Sequence, residues 1–382
     1  MKSLPTVLIV MLFLPVLMMG QEEDDKVDLK VYGFVRMNAT LDFQEMGNSD
    51  LFRPANIKMP GAADNYPHLY MSAKQSRFGI KMQRKIDGEI LKTRIEADFH
   101  SSSNQTGGLV RLRHAYLQYK GFTIGQAWST FYDIQARPKI VDFEGANSAT
   151  LNRPPLIRYD LPIDKHTLSI ALEHPTEQIT VNDQIKLKKQ LAPYMVAAMK
   201  WRLDDKKSFI KVAAIARQLR YEVPIESDAE LMQNQNLLVG GAMSSGRIQV
   251  NKQDFFKYQL IGGKGLARYV RGVRGLGYDA ICSPGCNQLD AIGIYGGFLA
   301  YEKRWAKQWT STMVLGGINV ERMPSFTEDD MDYCLYGSAN VFYEVNTAFQ
   351  IGVEYLYGER TNLSGITGNA NRLQMVAQMR FN

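Results

Sequence analysis

From residue 27 to residue 43 the chain alternates with a two-residue period, and this constrains its fold more than any other feature. The odd positions carry Val27, Leu29, Val31, Gly33, Val35, Met37, Ala39, Leu41 and Phe43. The even positions carry Asp28, Lys30, Tyr32, Phe34, Arg36, Asn38, Thr40 and Asp42. Successive side chains of an extended strand point to opposite faces, so the run has one apolar and one mostly polar face. A helix of the same residues would scatter both sets around its circumference. The run is also longer than an ordinary globular strand.

The same rhythm recurs to the end of the chain. Residues 75 to 84 set Phe78, Ile80 and Met82 against Arg77, Lys81 and Gln83. Residues 90 to 99 set Leu91, Ile95, Ala97 and Phe99 against Lys92, Arg94, Glu96 and Asp98, and residues 371 to 381 close the series. In residues 109 to 119 the inward set remains open between Arg111 with Arg113 and His114 with Tyr116. Counting every candidate gives about sixteen strands, mostly near the ~10 residues of tilted membrane strands.

The connections alternate in length. Short turns are expected near residues 85–88, 120–121, 161–165, 203–207, 304–308 and 346–347. Between them lie longer links at 44–74, 100–108, 131–155, 174–191, 222–235, 268–288, 320–331 and 361–370. Strict alternation puts all short turns on one side, as in an outer-membrane barrel. Trp201, Trp305 and Trp309 sit beside the short turns, where an interfacial aromatic girdle belongs, and the chain ends on Phe381-Asn382. These signs predict an all-β transmembrane antiparallel barrel over residues 27–382, with a long third loop folded into the lumen.

The chain's first twenty residues differ from the rest. Lys2 precedes an apolar run from Val7 to Met19, Gly20 follows, and the acids Glu22 to Asp25 come next. This reads as a secretory signal peptide over 1–20, followed by a short periplasmic segment over 21–26. No other stretch approaches the ~18 uninterrupted apolar residues of a spanning helix. Without residues 1–20 the net charge falls from +6 to +5, because Lys2 is the one charge removed. So modest an excess does not suggest a nucleic-acid partner. Cys282 and Cys286 enclose Ser283-Pro284-Gly285, a turn-forming spacing that fits a small disulfide in an oxidising compartment. Cys334 reads as a small packing residue, and no metal site is expected.

No catalytic motif stands out, so neither an enzyme nor a cofactor is expected. His68, His100, His114, His166 and His174 are scattered, and a structural reading of His114 outweighs a hydrolase role. The functional signal lies in the third long loop, which carries Asp133, Asp142 and Glu144. Opposite it, the inward residues Arg36, Arg77, Lys81, Lys92 and Arg94 are expected to build a basic wall, with Arg111, Arg113 and Arg158. An acidic loop facing a basic wall sets up a transverse field, and low-dielectric walls focus it. The expected function is therefore passive diffusion of small hydrophilic, anionic solutes. The rivals are a structural or adhesive barrel with a plugged lumen and, more remotely, an outer-membrane hydrolase.

Several motifs resemble the DcaP-like trimeric outer-membrane porins. They include Gly33-Phe34-Val35-Arg36, Ser76-Arg77-Phe78-Gly79, Ile95-Glu96-Ala97-Asp98-Phe99 and Arg113-His114-Ala115-Tyr116. The most specific runs from Gly125 to Asp133 (GQAWSTFYD) and leads to Asp142-Phe143-Glu144-Gly145 and Ile157-Arg158-Tyr159. Later matches are Ala216 to Tyr221, Gly263 to Tyr269 and Gly352 to Gly358. The resemblance implies a homotrimer in the outer-membrane lipid, passing small anions such as dicarboxylates. Some members carry a helical segment before the barrel; with Gln21 to Lys26 ahead of strand one, a periplasmic coiled coil is not expected here, and the Cys282–Cys286 loop is a further departure.

Overall fold

The structure, a computed structural model, describes residues 26–381 apart from 48, 63–65, 101–107, 181–184, 204–206 and 226–227. The expected signal peptide over 1–20 and all but Lys26 of the segment 21–26 lie outside the described residues.

Among the described residues, sixteen antiparallel strands of 5 to 22 residues form the wall. The first half comprises β1 (Asp28–Asp42), β2 (Arg77–Ile86), β3 (Glu89–Asp98), β4 (Arg111–Tyr119), β5 (Phe122–Gln126), β6 (Pro155–Ile163), β7 (His166–Glu173) and β8 (Tyr194–Arg202). The second half comprises β9 (Phe209–Ile225), β10 (Asp228–Gln249), β11 (Phe255–Lys264), β12 (Gly293–Arg304), β13 (Trp309–Val320), β14 (Met331–Glu344), β15 (Phe349–Asn362) and β16 (Thr367–Phe381). Two short pieces, His68–Ser72 beside β1 and Lys186–Leu187 beside β9, join the same sheet. The sheet closes where β1 pairs with β16, from Gly33 opposite Phe381 to Asp42 opposite Arg372.

The period-two pattern maps onto this wall as expected. Leu29, Val31, Val35 and Met37 are exposed outward, while Asn38, Thr40 and Asp42 are buried inward. Tight turns at Asp87-Gly88 and Lys120-Gly121 have positive φ at both residues, which suits the right-handed twist of the strands they join. Trp201, Trp305 and Trp309 are exposed on the outer surface, next to the short turns.

Three details depart from the sequence reading. The link expected over 222–235 is largely strand, because β9 and β10 pair from the barrel wall out to Pro224 opposite Met232. A seventh short turn closes with Val250 N–H donating to the Asp254 carbonyl at 3.0 Å. In β4 a bulge places Leu112 opposite Ala97 and His114 opposite Glu96, leaving Arg113 as the extra residue. A bulge shifts the parity by one, so Arg111, Arg113 and His114 all reach buried partners inside, and neither alternative set alone describes the strand.

Loop three crosses the lumen as expected. Its backbone is tied to strands around the wall: Glu173 of β7 accepts from Thr130 N–H, Lys211 of β9 donates to the Thr130 and Tyr132 carbonyls, and Asn340 of β14 donates to the Lys139 carbonyl. Loop six, expected as an outer loop over 268–288, also enters. Leu151 N–H donates to the Tyr269 carbonyl at 2.8 Å and Gly272 N–H to the Asn147 carbonyl at 2.7 Å, so the two loops zip together. Leu266, Ala267, Tyr269, Val270 and Val273 are fully buried against Val196, Ile215, Met243, Ile294 and Ile318 of the wall. An apolar core therefore fills the β8 to β14 side of the barrel, and polar space remains on the other.

Leu315 projects outward at the middle of β13 and is 66 % exposed. Leu315→Arg is expected to cost about 2–4 kcal/mol of folding stability in lipid. Denaturant-induced unfolding in vesicles measures it, and an unchanged midpoint would show that β13 does not face hydrocarbon.

Candidate functional site

The polar space is bordered by strands β2 to β6 and by loops one, two, three and six. Of the eight basic residues expected to form a basic wall, five are tied to carboxylates: Arg77, Arg94, Arg111, Arg113 and Arg158. Arg94 Nη2 lies 2.5 Å from Glu96 Oε2, and Arg77 lies 3.6 Å from Glu96. Arg111 grips Asp98 with two hydrogen bonds of 2.9 and 2.8 Å, and Arg113 bridges Glu96 at 2.9 Å and Asp98 at 2.7 Å. Arg158 pairs with Asp160, and Arg36 donates to the Val141 carbonyl of loop three. Lys81 sits over the Tyr32 ring at 4.6 Å, and Lys92 is exposed. This wall is a lattice of ion pairs organised by Glu96 and Asp98, which removes much of its free positive charge.

The uncompensated charge lies one layer further in. A cavity of about 120 Å³ is lined by Arg53, Arg111, Arg113, Arg137, Arg153, Arg271 and Arg274, with His100, Trp128 and Phe143. Among the described residues, Glu144 is the one carboxylate on its lining. Loop one supplies Arg53, whose Nε lies 2.8 Å from Glu144. Loop three supplies Arg137 and Arg153, and loop six supplies Arg271 and Arg274. Arg271 opens a short 3₁₀ turn, Arg271–Val273, and Arg274 follows it; residues three apart share a face in that conformation.

The electrostatics of these loop residues follow from crowding. Burial lowers the pKa of Arg153, and repulsion from Arg113 and Arg111 lowers it further. Burial also lowers Arg274, which has Arg268, Arg271 and Arg53 as cationic neighbours. The Arg153 guanidinium stacks over the Trp128 indole at 4.7 Å, and Nη2 of Arg274 is buried without a hydrogen-bond partner. Guanidiniums packed this way present planar donor forks to any anion that enters. Burial raises the pKa of Glu144, but Arg271, Arg53 and Arg274 outweigh it and hold the carboxyl below its ordinary value.

The other two loop acids do not border the chamber. Asp142 is fully buried and caps its own loop, accepting from Glu144 N–H at 3.1 Å, Gly145 N–H at 2.9 Å and the Tyr336 hydroxyl at 3.2 Å. Asp133 accepts from the Ser245 hydroxyl at 2.9 Å on the opposite wall. The geometry thus differs from an acidic loop facing a basic wall: loop three carries cations into a cationic chamber, and its acids fold the loop. Cys282 and Cys286 are bonded to each other in loop six, and Cys334 is buried with Asn147 donating to its sulfur. His114 packs edge-on against Trp128 and Tyr116.

Sequence reading missed Arg53, Arg153, Arg271, Arg274 and Trp128 as chamber residues. One signal was available. Arg268, Arg271 and Arg274 recur every third residue, a spacing foreign to the two-residue period of a wall strand.

A closed sixteen-strand wall with an outward apolar band and a loop-constricted polar lumen defines an outer-membrane β-barrel channel. Residues 21–381 match the family model described as DcaP outer membrane protein, and the chain belongs to that family. The outer membrane channel DcaP of Acinetobacter baumannii is similar in structure at TM-score 0.80 and 19 % identity, covering 93 % of this chain and 97 % of that one. An anion-selective porin from Comamonas acidovorans superposes at TM-score 0.58 with 10 % identity, covering 93 % and 100 %. OmpT of Vibrio cholerae, in its trimer form, superposes at 0.57 with 13 % identity, covering 94 % and 100 %. At these identities the likeness shows the shared fold. No curated protein matches the chain in sequence.

A pH dependence follows from Glu144. Because its folded pKa is depressed, its contribution to holding loop three is complete above the unfolded value of about 4.3 and is lost as pH falls through the folded value. Open-channel current noise is therefore expected to stay low from neutral pH to about pH 5 and to rise in stronger acid. Glu144→Gln is expected to be noisy at neutral pH already. A quiet Glu144→Gln channel would show that the Arg53–Glu144 pair does not hold the loop.

Proposed function

We propose that the channel passes small anionic, carboxylate-type solutes by passive diffusion, with no chemical step and no cofactor. The observation that carries this reading is the cluster of Arg137, Arg153, Arg271 and Arg274 on the chamber lining, in addition to Arg111 and Arg113, which pair with Asp98 and Glu96, and Arg53, which pairs with Glu144. Mutually repelling guanidiniums in a low-dielectric enclosure are relieved by an entering anion, which lowers the barrier for that sign of charge. The neutralised wall of Arg77, Arg94, Arg111 and Arg113 supports the chamber by holding its outer side rigid, with Lys81, Lys92, Arg36 and Arg158 completing the polar surface. Trp128 holds the Arg153 guanidinium over its ring at 4.7 Å. The anion-selective porin among the structural neighbours agrees with this direction.

A homotrimer is part of the same reading. Met37, Ala39, Val341, Ile351, Val353 and Met375 line an apolar hollow on the outer surface of β1 and β14 to β16, a face suited to a second copy or to lipid. The segment 1–20 directs export and is removed. A plugged structural barrel is the competing reading, favoured by the dry core that loop six builds across the β8 to β14 side.

Single-channel recording in planar bilayers, with reversal potential in a KCl gradient, separates them. A steady open current preferring chloride is expected, and Arg137→Gln/Arg153→Gln is expected to reduce the chloride preference several-fold. No current from well-folded protein would establish the plug, and an open channel preferring potassium would overturn the anion reading.

A further inference from the structure

The outer surface of β7 to β10 changes character along its height. Trp201 of β8 pairs with Ile210 of β9 on the short-turn side, and Val212, Ala214 and Ala216 continue the outward face of β9 from there. Ile170, Leu172 and Met195 beside them are exposed, and Leu238 of β10, opposite Gln218, is 78 % exposed. Arg220 lies ten residues beyond Ile210 on the same face. At about 3.3 Å of rise per residue and a tilt of about 40°, that run climbs about 25 Å, the height of the apolar band of such a barrel. Arg220 therefore stands where hydrocarbon gives way to headgroups on the long-loop side.

Cations collect at that level. The short piece Lys186–Leu187 runs beside β9 with Lys186 opposite Glu222, and Lys188 N–H donates to the Arg220 carbonyl at 3.2 Å. Alternation puts Lys186, Lys188, Arg220 and Glu222 on the outward face, because Ile185, Tyr221 and Val223 are buried inward. Lys188 Nζ lies 2.8 Å from Glu222, and Arg220 Nη2 donates to Asn234 Oδ1 at 3.3 Å. Gln190 fixes the backbone between them, accepting from Arg220 N–H at 2.8 Å and donating to the Lys188 and Arg220 carbonyls. Lys186 and Lys189 are exposed. Among the described residues the patch holds four cations and one carboxylate. The exposed cations at the long-loop ends of β11 and β13 differ, since Lys264 lies 3.1 Å from Glu321 and Arg322 lies 3.0 Å from Glu328.

We propose that this patch binds the headgroup of an outer-leaflet glycolipid bearing two phosphates, with its acyl chains laid over Leu238, Met195 and Ile170. Four cations against one carboxylate leave an excess that a zwitterionic headgroup does not neutralise. Two phosphates carry enough charge and acceptor oxygens to meet Lys186, Lys188, Lys189 and Arg220 together. The guanidinium offers one of them a planar fork, and the ammonium groups act as point charges on the other. A free phosphate would leave the apolar surface below unused, and a soluble acidic protein would have to displace lipid from Leu238. In strand order β9 lies across the barrel from the apolar hollow on β1 and β14 to β16, so the patch faces lipid even when that hollow is covered. The inference is independent of the anion-channel reading, because the patch is on the outside of the wall.

The test is native mass spectrometry of the purified protein in detergent, titrated with lipid A bearing two phosphates, with its dephosphorylated form and with phosphatidylglycerol. The phosphorylated lipid A is expected to bind at a concentration about tenfold or more below either comparison lipid. Lys186→Gln/Lys188→Gln/Arg220→Gln is expected to raise its apparent Kd about tenfold or more, with the reversal potential in a KCl gradient unchanged, because none of the three lines the lumen. If that variant does not fold, Lys186→Gln/Lys189→Gln decides, since both side chains are exposed, and a rise of about fivefold is expected. Equal retention of dephosphorylated lipid A would reduce the site to its apolar surface, and equal retention of phosphatidylglycerol would reduce it to unspecific charge. Release of the lipid by inorganic pyrophosphate at matching concentration would make it a site for soluble phosphates. Any of these three results, or unaltered binding by the variants, would overturn the proposal.

Discussion

A backbone crossing hydrocarbon must find every hydrogen-bond partner within its own sheet, and closure of β1 onto β16 meets that requirement here. The rest of the architecture depends on it. Closing sixteen strands creates a lumen too wide to be filled by wall side chains alone, so something else must occupy the interior. In this protein two loops do so, and they divide the interior into a dry half and a polar half.

The division is written in the wall itself. Strands β8 to β14 present Val196, Ala198, Ala213, Ile215, Ile261, Ile294 and Ile318 inward, where a water-filled pore would carry polar residues. Those side chains are covered by Leu266, Tyr269, Val270 and Val273, and hydrophobic burial holds loop six in place. Strands β2 to β6 instead present charged residues joined by Glu96 and Asp98. Ion pairs of this kind add little attraction for a passing solute, but they fix the positions of the groups around them. The chamber arginines gain their influence from the opposite circumstance, because among the described residues they are crowded together with a single lining carboxylate.

The strands, their inward and outward faces, the girdle tryptophans and the entry of loop three were legible in the sequence, because each rests on a local rule. Alternation fixes faces, and glycine with positive φ marks turns such as Asp87-Gly88. The parity of residues 109–119 was not legible, since a bulge at Arg113 breaks the period that the reading relies on. Nor was the extent of β9 and β10 beyond the membrane, where polar residues suit a strand and a loop equally. Of the cations expected to form a basic wall, Arg77, Arg94, Arg111 and Arg113 lie against Glu96 and Asp98, a pairing that the sequence reading did not supply. Which carboxylate meets which cation depends on register between neighbouring strands and on loops far apart in the chain.

The sequence by itself determined that this chain is a membrane-spanning β-barrel with alternating short and long connections, because a period of two states which face each residue takes. Its likeness to one family of outer-membrane proteins was equally open to reading in the order of its motifs. Only the tertiary structure decided where the constriction lies and what charge it bears. Arg53, Arg137, Arg153, Arg271 and Arg274 come from three loops separated by up to about two hundred residues, and no local pattern ties them together. They converge because the buried ion pair of Arg217 in β9 with Asp279 in loop six, the apolar face of loop six and the lacing of loop three to the wall place their backbones within one cavity. Such long-range packing fixes a geometry that no single segment encodes.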